Sequence, residues 1–270
     1  MVLFRIKTGG RTVFYPQKGE TYVRKVQMLH VWNLVSFAIL LLLYFVLPIG
    51  EQISLIAGQI NSLFKPAEYA YGIWIPIYLL LAIWIFYRIT TTNNQEIYLR
   101  IGYWLPINFG LNALWIYLFT ERLFFLSLIN ILLILISLIF IYFTIQNSST
   151  KTLFFRLPFS LYLGWISVAT IEHFFIVLEV NGVNELLGFS EIVWTVILLL
   201  VGGIISLIFT NANQDISYSL GFIWAYITII IQRNDVLPVV IAAWLVVGVL
   251  LATVAYQIYR FFQGNRQGVV

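Results

Sequence analysis

Residues 157–178 read LPFSLYLGWISVATIEHFFIVL. Apart from the adjacent pair Glu172-His173, every position from Leu157 to Leu178 is apolar, aromatic, small or hydroxylic. A helix needs about 20 predominantly apolar residues to cross a bilayer, and this stretch supplies them. Backbone groups in hydrocarbon must find their hydrogen bonds within the segment, and the run has no period-two alternation, so a helix is expected rather than a barrel strand.

Seven further stretches have the same character: Leu29–Leu47, Tyr71–Tyr87, Ile101–Phe119, Leu123–Ile145, Ile192–Phe209, Ile216–Ile231 and Leu237–Tyr259. The expected fold is all-α, a polytopic membrane bundle of about eight transmembrane helices. The seventh stretch is short and must stand upright, extend into its flanks or lie buried among its neighbours. Composition agrees. Of 270 residues, 61% are hydrophobic and 10% charged, where a soluble domain carries about 25% charge. A water-soluble enzyme or a nucleic-acid binder is thereby excluded. Cysteine is absent, which removes disulfides, thiolate catalysis and cysteine metal sites.

Basic residues set the expected orientation. Twelve Lys and Arg fall on the side of both termini and the even-numbered connections, against three (Lys65, Arg122, Arg233) on the other. The positive-inside bias therefore places both termini on the cytoplasmic, or equivalent, side. The segment 1–28 is too basic and too polar for a cleavable signal. Within it, Val2–Lys7 and Arg11–Tyr15 flank Thr8-Gly9-Gly10, the pattern of a small hairpin, with a solvated basic tail as the alternative.

Ionisable groups inside a span are costly and mark functional candidates. Only Glu172 and His173 lie well inside one. Trp165, Ala169 and Glu172 share a helical face, whereas His173 points from a neighbouring one. Glu172 either meets a ligand or proton, or is protonated and bonded to another helix, or reaches for the interface. His173 is either a satisfied core group or an axial ligand to a metalloporphyrin. A second stripe, Trp104, Asn108, Asn112, Trp115 and Phe119, carries two amides that should face protein rather than acyl chains. Trp74 and Tyr78 are four apart. Together these side chains form a candidate aromatic pocket with a few polar groups, the chemistry of a flat apolar ligand; the alternative is plain packing. All five lysines lie outside the spans, so no intramembrane Schiff base can form. Asp215 and Asp235 read as loop residues, and no nucleotide, zinc-protease or serine-elbow motif is present.

Three stretches resemble the tryptophan-rich sensory protein / translocator protein (TspO/MBR) family. Pro66-Ala67-Glu68-Tyr69-Ala70-Tyr71-Gly72-Ile73-Trp74-Ile75-Pro76-Ile77-Tyr78 is similar to the start of its second helix. Leu111-Asn112-Ala113-Leu114-Trp115 resembles its Asn-x-x-Trp, and the Trp-x-Ser-x-Ala-Thr from Trp165 to Thr170 its fifth helix. The resemblance covers about residues 29–178 and points to longer members with added helices. It implies three parts: a basic segment 1–28, a five-helix core 29–178, and three further helices with a short tail over 179–270. His173 stands where the family has Asn, Glu68 where longer members often have Gly, and the proline lies further ahead of Trp165 than in short members.

The resemblance also implies an apolar pocket covered by the connection Pro48–Ala70, and ligands such as haem, protoporphyrin or another tetrapyrrole, or a sterol or lipid. The ligand-binding set is Trp74, Tyr78, Asn108, Asn112, Trp115, Trp165, Ala169 and Glu172, with His173 as the metal candidate. The leading expectation is an integral membrane sensor or carrier of a hydrophobic aromatic molecule, alone or as a homo-oligomer. An accessory subunit of a larger, pigment-containing membrane complex is the alternative. An enzyme acting on a porphyrin or lipid ranks last, because Glu172 has no visible catalytic partner.

Overall fold

The structure is a computed structural model that describes residues 3–8, 11–16, 20–46, 49–90, 95–148, 152–183 and 185–267. Strands β1 (Leu3–Thr8) and β2 (Arg11–Pro16) pair antiparallel, with Thr8 opposite Arg11. The Gly9-Gly10 turn expected between them lies outside the described residues. Most of the remaining described residues are helical. Helix α1 (Glu20–Leu41) runs on as a π-turn to Val46, and α2 (Ile49–Gln59) follows. A 3₁₀ turn over Glu68–Ile73 leads into α3 (Trp74–Thr90). Then come α4 (Gln95–Ile101), α5 (Trp104–Thr120), α6 (Phe124–Gln146) and α7 (Leu153–Val180). A short hairpin, β3 (Glu185–Leu186) with β4 (Phe189–Ser190), precedes α8 (Glu191–Asn213), α9 (Ile216–Gln232) and α10 (Leu237–Gln267).

Each of the eight expected stretches falls on a helix, with shifts at the ends. The third was expected from Ile101 but begins at Trp104. Gly102 takes a φ of +58° and closes α4, its N–H bonding the carbonyl of Tyr98 at 3.0 Å, a helix stop that glycine makes at no steric cost. Among the described residues, six helices are long and apolar enough to cross a membrane. Helices α5 and α9, at 17 residues each, rise only about 26 Å at 1.5 Å per residue. For α9 burial explains the length. It is packed against α7, α8 and α10, and Tyr218, Phe222, Ala225, Tyr226 and Ile229 are all buried.

Helices α7 and α9 pack with their backbones in direct contact. A Cβ on Gly164 would overlap the carbonyl oxygen of Tyr218, and one on Gly221 would sit 2.7 Å from the backbone nitrogen of Trp165. Without a hydrophobic force between helices in lipid, such small-residue contacts let backbones pack directly. One apolar core runs from Phe37 and Leu40 on α1 through Phe159 and Tyr162 on α7 to Val247 and Leu250 on α10, so the last three helices share the core of the first five.

Asp215 is not the plain loop residue expected from sequence. It is 1% exposed and caps α9 by accepting the N–H of Ser217 at 3.1 Å. Its other oxygen accepts the Tyr142 hydroxyl at 3.0 Å and faces Arg156 Nε at 3.4 Å. A buried carboxylate is tolerable when paired and bonded in this way, and here it ties α6, α7 and α9 at one end of the bundle.

Candidate functional site

A cavity opens between the α1 π-turn, α2, α3, α5, α6 and α7. Trp165, Ala169 and Glu172 enter it from one face of α7, as their spacing predicts. Trp74 comes from α3, Asn112 and Trp115 from α5, and Ile131 and Ile134 close the α6 side. Trp74 meets Trp165 edge to face at 6.4 Å between ring centres, and Tyr71 meets Trp165 at 6.1 Å. Edge contacts of this kind fix ring orientation and keep the aromatic wall rigid.

His173, expected on a neighbouring face as the metal candidate of the pocket, also lines the cavity. The two adjacent side chains, Glu172 and His173, meet different partners. The Glu172 carboxylate accepts the Tyr71 hydroxyl at 2.5 Å, so it is bonded across to the start of α3. The His173 ring packs on Trp115 and Phe119 at 5.9 and 5.7 Å, and its Nε2 lies 2.6 Å from Ser127 Oγ of α6. That hydroxyl also lies 2.9 Å from the carbonyl of Phe124, to which it can donate, and the tautomer of the imidazole sets which group donates in the Ser127–His173 pair.

Two residues expected in the site stand outside its lining. Tyr78 is behind Trp74, stacked on it at 5.2 Å. Asn108 is fully buried and gives its amide to Ser137 Oγ at 2.8 Å, joining α5 to α6. Asn112 lines the cavity while donating to the Tyr162 hydroxyl of α7. Of the same stripe, Trp104 turns outward and packs on Phe140 at 4.6 Å.

Sequence reasoning missed Tyr44 on the π-turn, Ile53 and Ala57 on α2, and Tyr71. Tyr71 sat inside the quoted 66–78 stretch, and only the proximity of Glu172 distinguishes it. The connection Pro48–Ala70, expected to act as a lid, contributes Ile53 and Ala57 to the lining. Segment 60–70 is fastened by residues far along the chain. Arg233 donates to Asn61 Oδ1 at 2.9 Å and to the Ser62 carbonyl at 2.5 Å. Glu191 accepts the Leu63 N–H at 2.6 Å, Thr228 accepts the Ala67 N–H at 3.3 Å, and the Trp224 indole donates to Ala70 O at 2.8 Å. Lys65 is buried as well, its Nζ donating to Ala57 O at 2.5 Å and Ile60 O at 3.2 Å. Burial lowers the pKa of that ammonium, against the opposing pull of the carboxylates of Glu172 and Glu68.

This arrangement of aromatic and amide side chains around a cavity between the early helices accords with the resemblance found in the sequence. A family model described as TSPO-like protein matches residues 27–256. The chain belongs to the TSPO-like protein family. The match runs well past residue 178, through α8 and α9 and into α10, so family membership extends over the helices that follow the five-helix core. No curated protein and no solved structure matches the chain. Six helices able to span and TSPO-like membership together make it an integral, multi-pass membrane protein.

A tetrapyrrole, the ligand class that the resemblance implies, fits these residues poorly. The aromatic walls suit the face of a ring. However, the cavity volume is only about 70 Å³. That is room for a slender molecule, not for a macrocycle. Among the described residues, no Lys or Arg lines the cavity to meet acid side groups. The His173 Nε2 that would approach a metal is already taken up at 2.6 Å by Ser127 Oγ.

Proposed function

We propose that this TSPO-like protein binds a hydrophobic aromatic small molecule inside the membrane and acts as its sensor or carrier. The carrying observation is the convergence of Trp74, Trp165, Asn112, Trp115 and Glu172, from three helices, on one mostly apolar cavity. Ligand sites have this character: an apolar, aromatic lining with a few convergent polar groups. The connection through α2 and residues 60–70 serves as the cover, and the basic excess puts both termini on the cytoplasmic or equivalent face.

Tryptophan emission of the full chain in lipid nanodiscs, titrated with N-methyl-2-quinolinone as a neutral flat probe, tests binding. Saturable quenching is expected, and it should vanish in Ala169→Trp, which fills the cavity and so corrects for partition into lipid. Quenching that is identical in both chains defeats the proposal. Haem and protoporphyrin are titrated in parallel; the narrow cavity and the bonded His173 predict no Soret shift. Because the chain has no cysteine, single Gln263→Cys and Asn181→Cys reporters test sidedness. They should label from opposite faces of sealed vesicles.

A further inference from the structure

Far from the aromatic cavity, at the end of the bundle where α10 finishes, α7, α9 and α10 leave an open groove of about 530 Å³. Part of its lining is polar and held in place. Arg156 on α7 donates to Gln146 Oε1 at 2.8 Å and to the carbonyl of Asn213 at 3.3 Å. Gln257 on α10 donates to the carbonyl of Thr210 at 3.0 Å. These bonds tie the start of α7 and the last turns of α10 to the end of α8. Another part is apolar, with Leu153, Ile258, Phe261 and Phe262 all exposed.

The charges in the groove do not balance. The Asp215 carboxylate is spent within the fold on the Tyr142 hydroxyl, the Ser217 N–H and Arg156. The second guanidinium, that of Arg260, is left over. It is exposed, lies 5.9 Å from the centre of the Tyr256 ring, and has no carboxylate or hydrogen-bond acceptor among the described residues. A groove at the same end that holds Arg100 beside Phe140 and Asn147 differs in this respect, because Arg100 is paired with Glu96 at 2.7 Å.

Depth narrows the occupant. From Leu237, where α10 begins, Arg260 lies about 35 Å along the axis at 1.5 Å per residue. The hydrocarbon core is about 30 Å thick, so a spanning α10 delivers Arg260 at the level of the lipid headgroups. Tyr256 and Tyr259, both exposed on the neighbouring turns, suit that level, where aromatic side chains with a polar tip gather.

We propose that this groove binds an anionic phospholipid, its phosphate on Arg260 and its upper acyl carbons against the exposed apolar side chains. A guanidinium matches a phosphate in forked geometry, and the apolar lining has a use only for an anion that carries chains. In the orientation proposed above, the groove opens on the cytoplasmic or equivalent leaflet, whose anionic lipids give it a negative surface potential. The site shares no residue with the aromatic cavity.

Native mass spectrometry of the full chain released from detergent micelles tests this, with phosphatidylglycerol and phosphatidylcholine of identical acyl chains as the probes. The first phosphatidylglycerol should bind about tenfold more tightly than the first phosphatidylcholine, as expected for hydrogen bonds between charged groups. In Arg260→Ala, which removes no bond within the described fold, the preference should fall to about twofold or less while phosphatidylcholine binding persists. Phe261→Glu sets a like charge beside the phosphate and should lower it similarly, which keeps the test open if Arg260→Ala does not fold. Arg100→Ala should leave the preference intact, and glycerol 1-phosphate, the headgroup without chains, should not displace the lipid. Equal binding of the two lipids, a preference that survives Arg260→Ala or Phe261→Glu, or one lost as fully in Arg100→Ala would overturn the inference. Displacement by glycerol 1-phosphate would overturn it too, by showing a site for a soluble anion. Each of these outcomes leaves the aromatic-ligand function standing.

Discussion

The cavity has two sides built on different principles. Its back wall is α7, seated on α9 through Gly164 and Gly221 with backbone against backbone. The proposed cover is α2 with residues 60–70, held by separate polar contacts from Glu191, Trp224, Thr228 and Arg233. The wall depends on close packing, which tolerates no added atoms. The cover depends on hydrogen bonds, each of which can be broken without moving a helix. A rigid wall can hold Trp165 and Glu172 at fixed positions, and a segment fastened bond by bond is the part that would open in the proposed ligand binding. The fastenings come from α8 and α9 and the turn that follows α9, which gives the helices after residue 178 a direct part in shaping the site.

Breaking the wall should cost most. Gly221→Leu forces a side chain into the backbone of Trp165, and overpacking of this kind costs about 3 kcal/mol. Unfolding in mixed micelles should show that loss, and Gly164→Ala should show a smaller one. Near-native stability for Gly221→Leu would mean that the seam is not tight.

The cover should respond differently. Arg233→Ala removes two hydrogen bonds to residues 61–62, worth about 2 kcal/mol together. The loss should be local: amide exchange at Leu63 and Ala67 should accelerate while α7 amides stay protected. Equal acceleration in α7 would erase the contrast between the two sides. At the other end of the bundle, Asp215→Asn keeps the cap on α9 but loses the charge facing Arg156. It should cost about 1–2 kcal/mol, read in the same micelle assay. The smallest effect is expected from Tyr71→Phe, which takes one hydrogen bond from Glu172, about 1 kcal/mol, and leaves both exchange patterns unchanged.

The spans were legible because hydrocarbon imposes a length and a polarity on any segment that crosses it. The run 157–178 could be read as a helix without knowing its neighbours. The site was legible in part. Trp165, Ala169 and Glu172 share a face by helical period alone, and they do converge on the cavity with Trp74, Asn112 and Trp115. Asn108 misled, because an amide that must face protein can be satisfied by any neighbouring helix, and Ser137 satisfied it outside the cavity. Asp215 misled in the other direction, since a carboxylate in a short connection looks solvated until Tyr142 and Arg156 are seen beside it.

By itself, then, the sequence determined the helical bundle, the family to which it belongs and the residue types that gather at one level of the membrane. Those follow from local rules: hydropathy along the chain, the period of a helix, and short motifs. Only the tertiary structure decided that Tyr71 meets Glu172, that Ser127 occupies the His173 ring, that two glycines bring α7 and α9 together, and that Arg233 fastens a segment 171 residues before it. Contacts between residues so far apart in the chain depend on how helices rotate and tilt against one another, and no local pattern of residues encodes that geometry.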